Sequence, residues 1–230
     1  MSTAHTLADQ ARFNMIEQQI RPWDVLDARV LALLDTVKRD QFVSVAHASL
    51  AYADLELPLL PHGSEDQVML APKVQARLLQ DLALQPTDRV LEIGTGSGYT
   101  TALLASLAQH VTSLEIHPNL ANIARGRLSL VGVTNVDVRH ADATANQFAA
   151  CRQGAPWDAI VVNGSLAEVP AALLDLLADG GRLFAITGDL PMMRATFVTR
   201  TGPGQFSTRQ PWDTVAPRLQ GFAEPSRFSF

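Results

Sequence analysis

One cysteine in 230 residues, Cys151, excludes an internal disulfide, and no Cys/His cluster has the spacing of a zinc site. Basic runs are missing too: 18 Lys and Arg against 23 Asp and Glu leave a net charge of −5, a poor footing for a duplex-binding role that depends on neutralised phosphates. No apolar stretch approaches the roughly 20 residues needed to span a bilayer. Residues 1–10 lack the basic start and apolar core of a secretory signal, so a cytoplasmic setting is expected. Low-complexity segments and internal repeats are absent. What remains is 47% hydrophobic and 18% charged, a globular composition long enough to bury a sizeable core.

The most informative run is Val90-Leu91-Glu92-Ile93-Gly94-Thr95-Gly96-Ser97-Gly98-Tyr99. A short apolar strand ends in three glycines spaced two apart, and a helix-forming stretch follows. Such glycines let backbone N–H groups approach a ligand that a Cβ would exclude. A dinucleotide fingerprint would be Gly-x-Gly-x-x-Gly, but Tyr99 stands where its last glycine belongs. The tighter spacing suits S-adenosylmethionine, which carries no phosphate. An ordinary Gly-rich strand-to-helix turn is the alternative.

The surrounding pattern alternates helix and strand. Residues 4–20 read as an amphipathic helix that Pro22 ends, and Asp27 caps a second helix carrying Val30, Leu31, Leu33, Leu34 and Val37. An irregular stretch follows from 51 to 72. Helices are expected around Leu78–Leu84, Thr100–Ala108, Asn119–Leu130 and from Pro170 through Leu177, with Gly180-Gly181 breaking the last. Strands are expected at 90–93, 111–116, 136–139, 159–162 and 183–186. Two further β stretches, 195–201 and 206–215, flank Gly202-Pro203-Gly204 as a closing hairpin. The pattern predicts one α/β domain over 1–230: a helical N-terminal extension or lid, 1–72, before a Rossmann-like, doubly wound, mostly parallel sheet over 73–230.

In such sheets ligands bind beyond the carboxyl ends of the strands. Glu115 ends the second strand, 21 residues past Gly94 (115 − 94), where a carboxylate accepts from both hydroxyls of a ribose; a surface carboxylate is its plainer reading. Asp142 follows the third strand and can accept from an adenine amine or cap the next turn. Glu92 can meet the ammonium of the donor or hold the loop. His117 at best lines the adenine pocket, and Cys151 reads as a bystander.

The chain resembles the protein-L-isoaspartate O-methyltransferase family over nearly its full length. The matching residues are 14–21 (Asn-Met-Ile-Glu-Gln-Gln-Ile-Arg), 39–43 (Arg-Asp-Gln-Phe-Val), 51–54 (Ala-Tyr-Ala-Asp) with Leu57-Pro58, 91–99, 155–160 (Ala-Pro-Trp-Asp-Ala-Ile) and 180–183 (Gly-Gly-Arg-Leu). The resemblance implies a Rossmann-like methyltransferase with S-adenosyl-L-methionine as donor. The implied reaction is methyl esterification of isoaspartyl carboxylates in damaged proteins, without a metal. The implied cofactor residues are Glu92, Gly94, Thr95, Gly96, Ser97, Gly98, Glu115, Ile116, Asp142 and Ala143, with the backbone of Met69 and Leu70. One departure stands out. The family segment Gln-Thr-Ile-Ser-Gln-Pro, whose Ser is assigned to the active site, is here Gln67-Val68-Met69-Leu70-Ala71-Pro72. Leu70 cannot hydrogen-bond a carboxylate, so no catalytic side chain is assigned. Asn163 or Ser165, after the fourth strand, can face the substrate or form a strand-end turn; the segment lacks the Asn-Pro-Pro-aromatic signature of amide and base methylation. Three readings stay open: transfer to a protein or peptide carboxylate, transfer to a small molecule or another protein group, and a non-catalytic binding protein of the same fold. Oligomeric state is not readable.

Overall fold

The computed structural model describes residues 6–64 and 66–224. Seven strands form one sheet in the order β5-β4-β3-β6-β7-β8-β9. They are β3 (Arg89–Ile93), β4 (His110–Glu115), β5 (Val136–His140), β6 (Trp157–Leu166), β7 (Leu177–Asp189), β8 (Met192–Gly202) and β9 (Gln205–Thr214). The five from β5 to β7 run parallel, while β7, β8 and β9 form antiparallel hairpins. Val90, Leu91 and Ile93 are all buried, the near-continuous apolar run expected of a strand covered on both faces. The helices are α3 (Pro72–Leu82), α4 (Tyr99–Leu107), α5 (Pro118–Leu130), α6 (Ala145–Arg152) and α7 (Ala171–Leu174). Among the described residues no helix is long and apolar enough to cross a membrane.

Ahead of the sheet lie α1 (Leu7–Met15), α2 (Ala28–Thr36) and the two-residue ribbon β1 (Leu57–Pro58) with β2 (Val68–Met69). Asp27 caps α2 as expected, accepting from the N–H groups of Arg29 at 2.7 Å and Val30 at 3.4 Å. Met15, Ile20, Leu34 and Phe42 pack into the same core as Leu78, Tyr99, Leu103 and Val111 on one sheet face. Leu91, Ile160, Leu183, Leu173 and Trp157 fill the other. Each fully buried Leu or Phe contributes about 1.5–3 kcal/mol.

Several elements differ from the sequence expectations. The first helical run reaches past residue 20 as expected but is α only to Met15, and the expected start at residue 4 lies outside the described residues. Thr6 caps α1 through a reciprocal pair with Asp9, and after Met15 the chain opens into a π turn, Ile16–Ile20, and a 3-10 turn, Arg21–Trp23. Pro22 lies in that 3-10 segment, whose end is Asp24 at φ 58°. The helix after Pro170 spans only Ala171–Leu174, with Pro170 as its cap. Leu177 already belongs to β7, and Gly180-Gly181 forms a bulge inside that strand where the register jumps from Trp157–Leu177 to Ala159–Arg182. A Cβ at Gly181 would sit 2.8 Å from the carbonyl oxygens of Trp157 and Ala178, so the glycine marks a close approach of backbones, not a break. No periodicity announced α6, whose residues 146–148 have left-handed backbone. Asn163-Gly164-Ser165 is not a terminal turn but lies within β6.

Candidate functional site

From β3 the chain first adds β4 and β5 on one side, then β6 and β7 on the other, so the order reverses beside β3. A cleft opens there beyond the carboxyl ends of β3 to β6, with about 950 Å³ of empty space, its mouth included. That position is the one a cofactor crevice takes in a doubly wound sheet.

Its floor is the loop from β3 to α4. The N–H groups of Gly94 and Thr95 donate to the Leu114 carbonyl at 2.9 and 3.3 Å, which ties the loop to β4. Gly96 has φ +54°, and a Cβ on it would lie 3.3 Å from the Leu59 methyls. The Gly96 N–H donates to Glu115 Oε2 at 2.8 Å, while Glu115 Oε1 accepts from the His117 N–H at 3.0 Å. Glu115 is buried, yet each oxygen keeps acceptor capacity toward the cleft it lines. Asp142 Oδ1 accepts from the N–H and the hydroxyl of Thr144, both at 2.8 Å, so it also closes the turn.

The cleft gathers Gly94, Thr95, Gly96, Ser97, Glu115, Ile116, Asp142, Ala143, Met69, Leu70 and Asn163 along one wall system. Three expected site residues lie elsewhere. Gly98 packs the loop onto α5, its absent Cβ facing Ala124 at 3.3 Å. Ser165 is buried beside Arg218, whose Nη1 donates to its hydroxyl at 3.3 Å. Glu92 is wholly buried behind the wall, where it accepts from Thr101 (2.5 Å), Ser113 (2.6 Å) and Asn163 Nδ2 (2.6 Å). Burial pushes its carboxyl up to about 7 against those hydrogen bonds. Glu92 reaches the cleft through Asn163, whose Nδ2 also donates to the Gly94 carbonyl at 3.1 Å.

His117, expected at best to line the adenine pocket, does line the cleft, as does Gln67. Gln67 Nε2 and His117 Nε2 stand 3.1 Å apart across the mouth. Arg39 is fully buried, donates from Nη2 to the Leu70 carbonyl at 2.9 Å and bonds Gln75, which donates to Thr100 at 2.8 Å. Burial lowers Arg39 to about 10, still charged at pH 7, so a cation fixes the segment where Leu70 stands. The remaining wall is the strap of residues 216–222. It runs beside Ser165 through Pro217 O (2.8 Å from Ser165 N) and Leu219 N (3.0 Å from Ser165 O), then reaches Asp142 and Thr144 at Gly221. A Cβ on Gly164 would come within 2.7 Å of Leu219, so this strand glycine lets the strap dock. Among the described residues no group of three His, Cys, Asp or Glu could hold a metal.

The family model for protein-L-isoaspartate(D-aspartate) O-methyltransferase matches residues 10–210. The chain is 38% identical over 197 residues to a protein-L-isoaspartate O-methyltransferase of Koribacter versatilis, covering 86% of this chain and 84% of the relative. It is 39% identical over 215 residues to one of Rhodopseudomonas palustris, covering 92% and 95%. Among solved structures, it is similar to a candidate protein-L-isoaspartate O-methyltransferase of Plasmodium falciparum in complex with S-adenosyl-L-homocysteine (TM-score 0.74, 21% identity, 93% of this chain and 99% of that one). It is also similar to a protein-L-isoaspartate O-methyltransferase at TM-score 0.78 and 22% identity, over 91% of this chain and 66% of that one. The matches cover sheet, loop and extension together, and the chain belongs to the protein-L-isoaspartate(D-aspartate) O-methyltransferase family.

Proposed function

We propose that this chain transfers the methyl group of S-adenosyl-L-methionine to a carboxylate oxygen, with isoaspartyl residues of proteins or peptides as first acceptor to test and the cytoplasm as its setting. One observation carries the reading: the open backbone at Gly94–Gly96 and the buried Glu115 converge on one cleft at the switch point of the sheet. Those groups fit the donor. Glu115 offers acceptors for a ribose diol, Asp142 stands farther along for the adenine edge, and the glycines leave room for the methionine end.

When bound, S-adenosyl-L-methionine supplies an electrophilic methyl on a sulfonium; the O–CH₃ bond forms as S–CH₃ breaks, and the electron pair stays on sulfur. A carboxylate is already a nucleophile at pH 7, so the protein's part is alignment and exclusion of water. The Arg39 clamp on the Leu70 carbonyl holds the acceptor-side segment still. Leu59, Met69 and Leu70 bring apolar surface from the N-terminal extension to the cleft, which supports its role as a cover. Protection of residues 6–72 from protease by added donor is the expected outcome; unchanged cleavage removes that role.

Labelled donor with an isoaspartyl peptide, followed by base-labile methanol release, tests the activity. Transfer above a donor-free blank supports it, and none removes isoaspartyl repair. A second reading, a different acceptor on the same donor site, is favoured by Val68 and Leu70, which replace both hydroxyls of the family segment with apolar side chains. It gains if Leu70→Ser creates isoaspartyl transfer that the native chain lacks.

A further inference from the structure

Resting on that reading, we infer that Arg218 recognises the carboxylate of the methyl acceptor, in the role that Leu70 cannot fill. Arg218 is the one Arg or Lys among the described residues that line the cleft. The strap fixes where it stands: Arg218 pairs with Ser165 in a parallel bridge, and Gly164 seats the neighbouring Leu219. The strap then crosses Gly94 and ends at Asp142, so Arg218 occupies the end of the cleft away from the adenine side.

The guanidinium is held but not saturated. Nη1 donates to the Ser165 hydroxyl, Nη2 bonds Asp189, and Nε pairs with Glu224 at 3.0 Å. Two of the five N–H donors are hydrogen-bonded, one on Nη1 and one on Nη2, and Nε meets Glu224 as an ion pair only. Each nitrogen therefore keeps an N–H, and a carboxylate can meet the guanidinium as a fork that includes Nε, where Glu224 now stands. Asp189 and Glu224 are each 54% exposed. Exposed ion pairs are weak, so these two position the fork without closing it, and a carboxylate under the strap competes well with Glu224. Glu224 is then a resident stand-in for the acceptor. Arg218 therefore has two separable properties: removing it weakens the acceptor, and removing its competitor strengthens the acceptor. A mere staple for the strap has only the first.

The experiment uses the full chain and an isoaspartyl peptide, reading KM for peptide in methyl transfer and peptide binding to the S-adenosylhomocysteine complex. Arg218→Leu is expected to raise the peptide KM by about tenfold or more with donor affinity unchanged within about twofold, and Arg218→Lys to recover only part, since it loses the fork. Glu224→Gln is expected to lower the peptide KM. An unchanged KM in Arg218→Leu overturns the inference, as does a parallel loss of donor affinity. Should Arg218→Leu fail to fold, Glu224→Gln decides alone, because it keeps Arg218: a KM that stays level or rises overturns the assignment. Transfer by the native chain that ignores all three variants sinks Arg218 and leaves the carboxylate reading standing. A native chain that neither methylates nor binds the peptide sinks both.

Discussion

The two ends of the cleft are built in different ways. The Gly94 to Glu115 end is continuous with the sheet: backbone N–H groups, a strand-end carboxylate and a buried network are set by the register of β3 and β4. The wall that Leu70 and Arg218 contribute is assembled from segments almost 150 residues apart, the stretch after β2 and the strap after β9, which leans on the sheet at Ser165. One end is fixed by fold, the other adjusted by loops. A family can therefore keep its donor while its acceptor changes.

If the donor end depends on Glu115, Glu115→Ala breaks it hardest. Losing acceptors for two ribose hydroxyls and the Gly96 N–H is expected to weaken donor binding by about 100-fold, while leaving any acceptor bound to the other end untouched. Calorimetry with S-adenosylhomocysteine measures the first effect, and a drop under about threefold breaks the comparison.

The network behind the donor end gives a stability test. Glu92 is raised from 4.5 to about 7 by burial, so its neutral form is favoured by folding. Its contribution is fully present below pH 4.5 and is lost as pH rises through about 7, on the order of 3 kcal/mol in all. Glu92→Gln is expected to remove that slope in urea unfolding between pH 4.5 and 7.5. A native chain whose stability stays flat across the same range refutes the assignment.

At the acceptor end Leu70→Ser restores a hydroxyl. We expect isoaspartyl kcat/KM to rise up to about tenfold with donor affinity unchanged. A change confined to donor affinity would erase the distinction between the two ends. The smallest effect concerns Cys151, which is buried with its thiol pushed up to about 12 by burial. The folded chain is expected to leave a thiol reagent unreacted, and rapid labelling contradicts the burial.

The same division sets what the sequence makes legible. Strand β3, the glycine turn and Glu115 are local signals, apolar run, spacing and strand end, and they fall where the fold puts a cofactor. The strap carries no such signal. Residues 216–222 have no periodicity, and their place follows from Gly164 in a distant strand, whose missing side chain admits Leu219. Arg39 stands in a matching segment, but its place is not legible there; only tertiary packing buries it against Leu70. Glu92 is half legible. Its position beside the loop is plain, but its orientation away from the cleft depends on hydroxyls of Thr101 and Ser113 from two other elements. The Gly180-Gly181 pair misled because a bulge and a helix stop use the same residues.

A crystal structure of the full chain with S-adenosylhomocysteine tests the central claim most directly. The account expects the ribose on Glu115, adenine toward Asp142, and the sulfur facing the space between Leu70 and Arg218. A ligand in the reverse direction, or a cleft that excludes it at saturating concentration, contradicts the account.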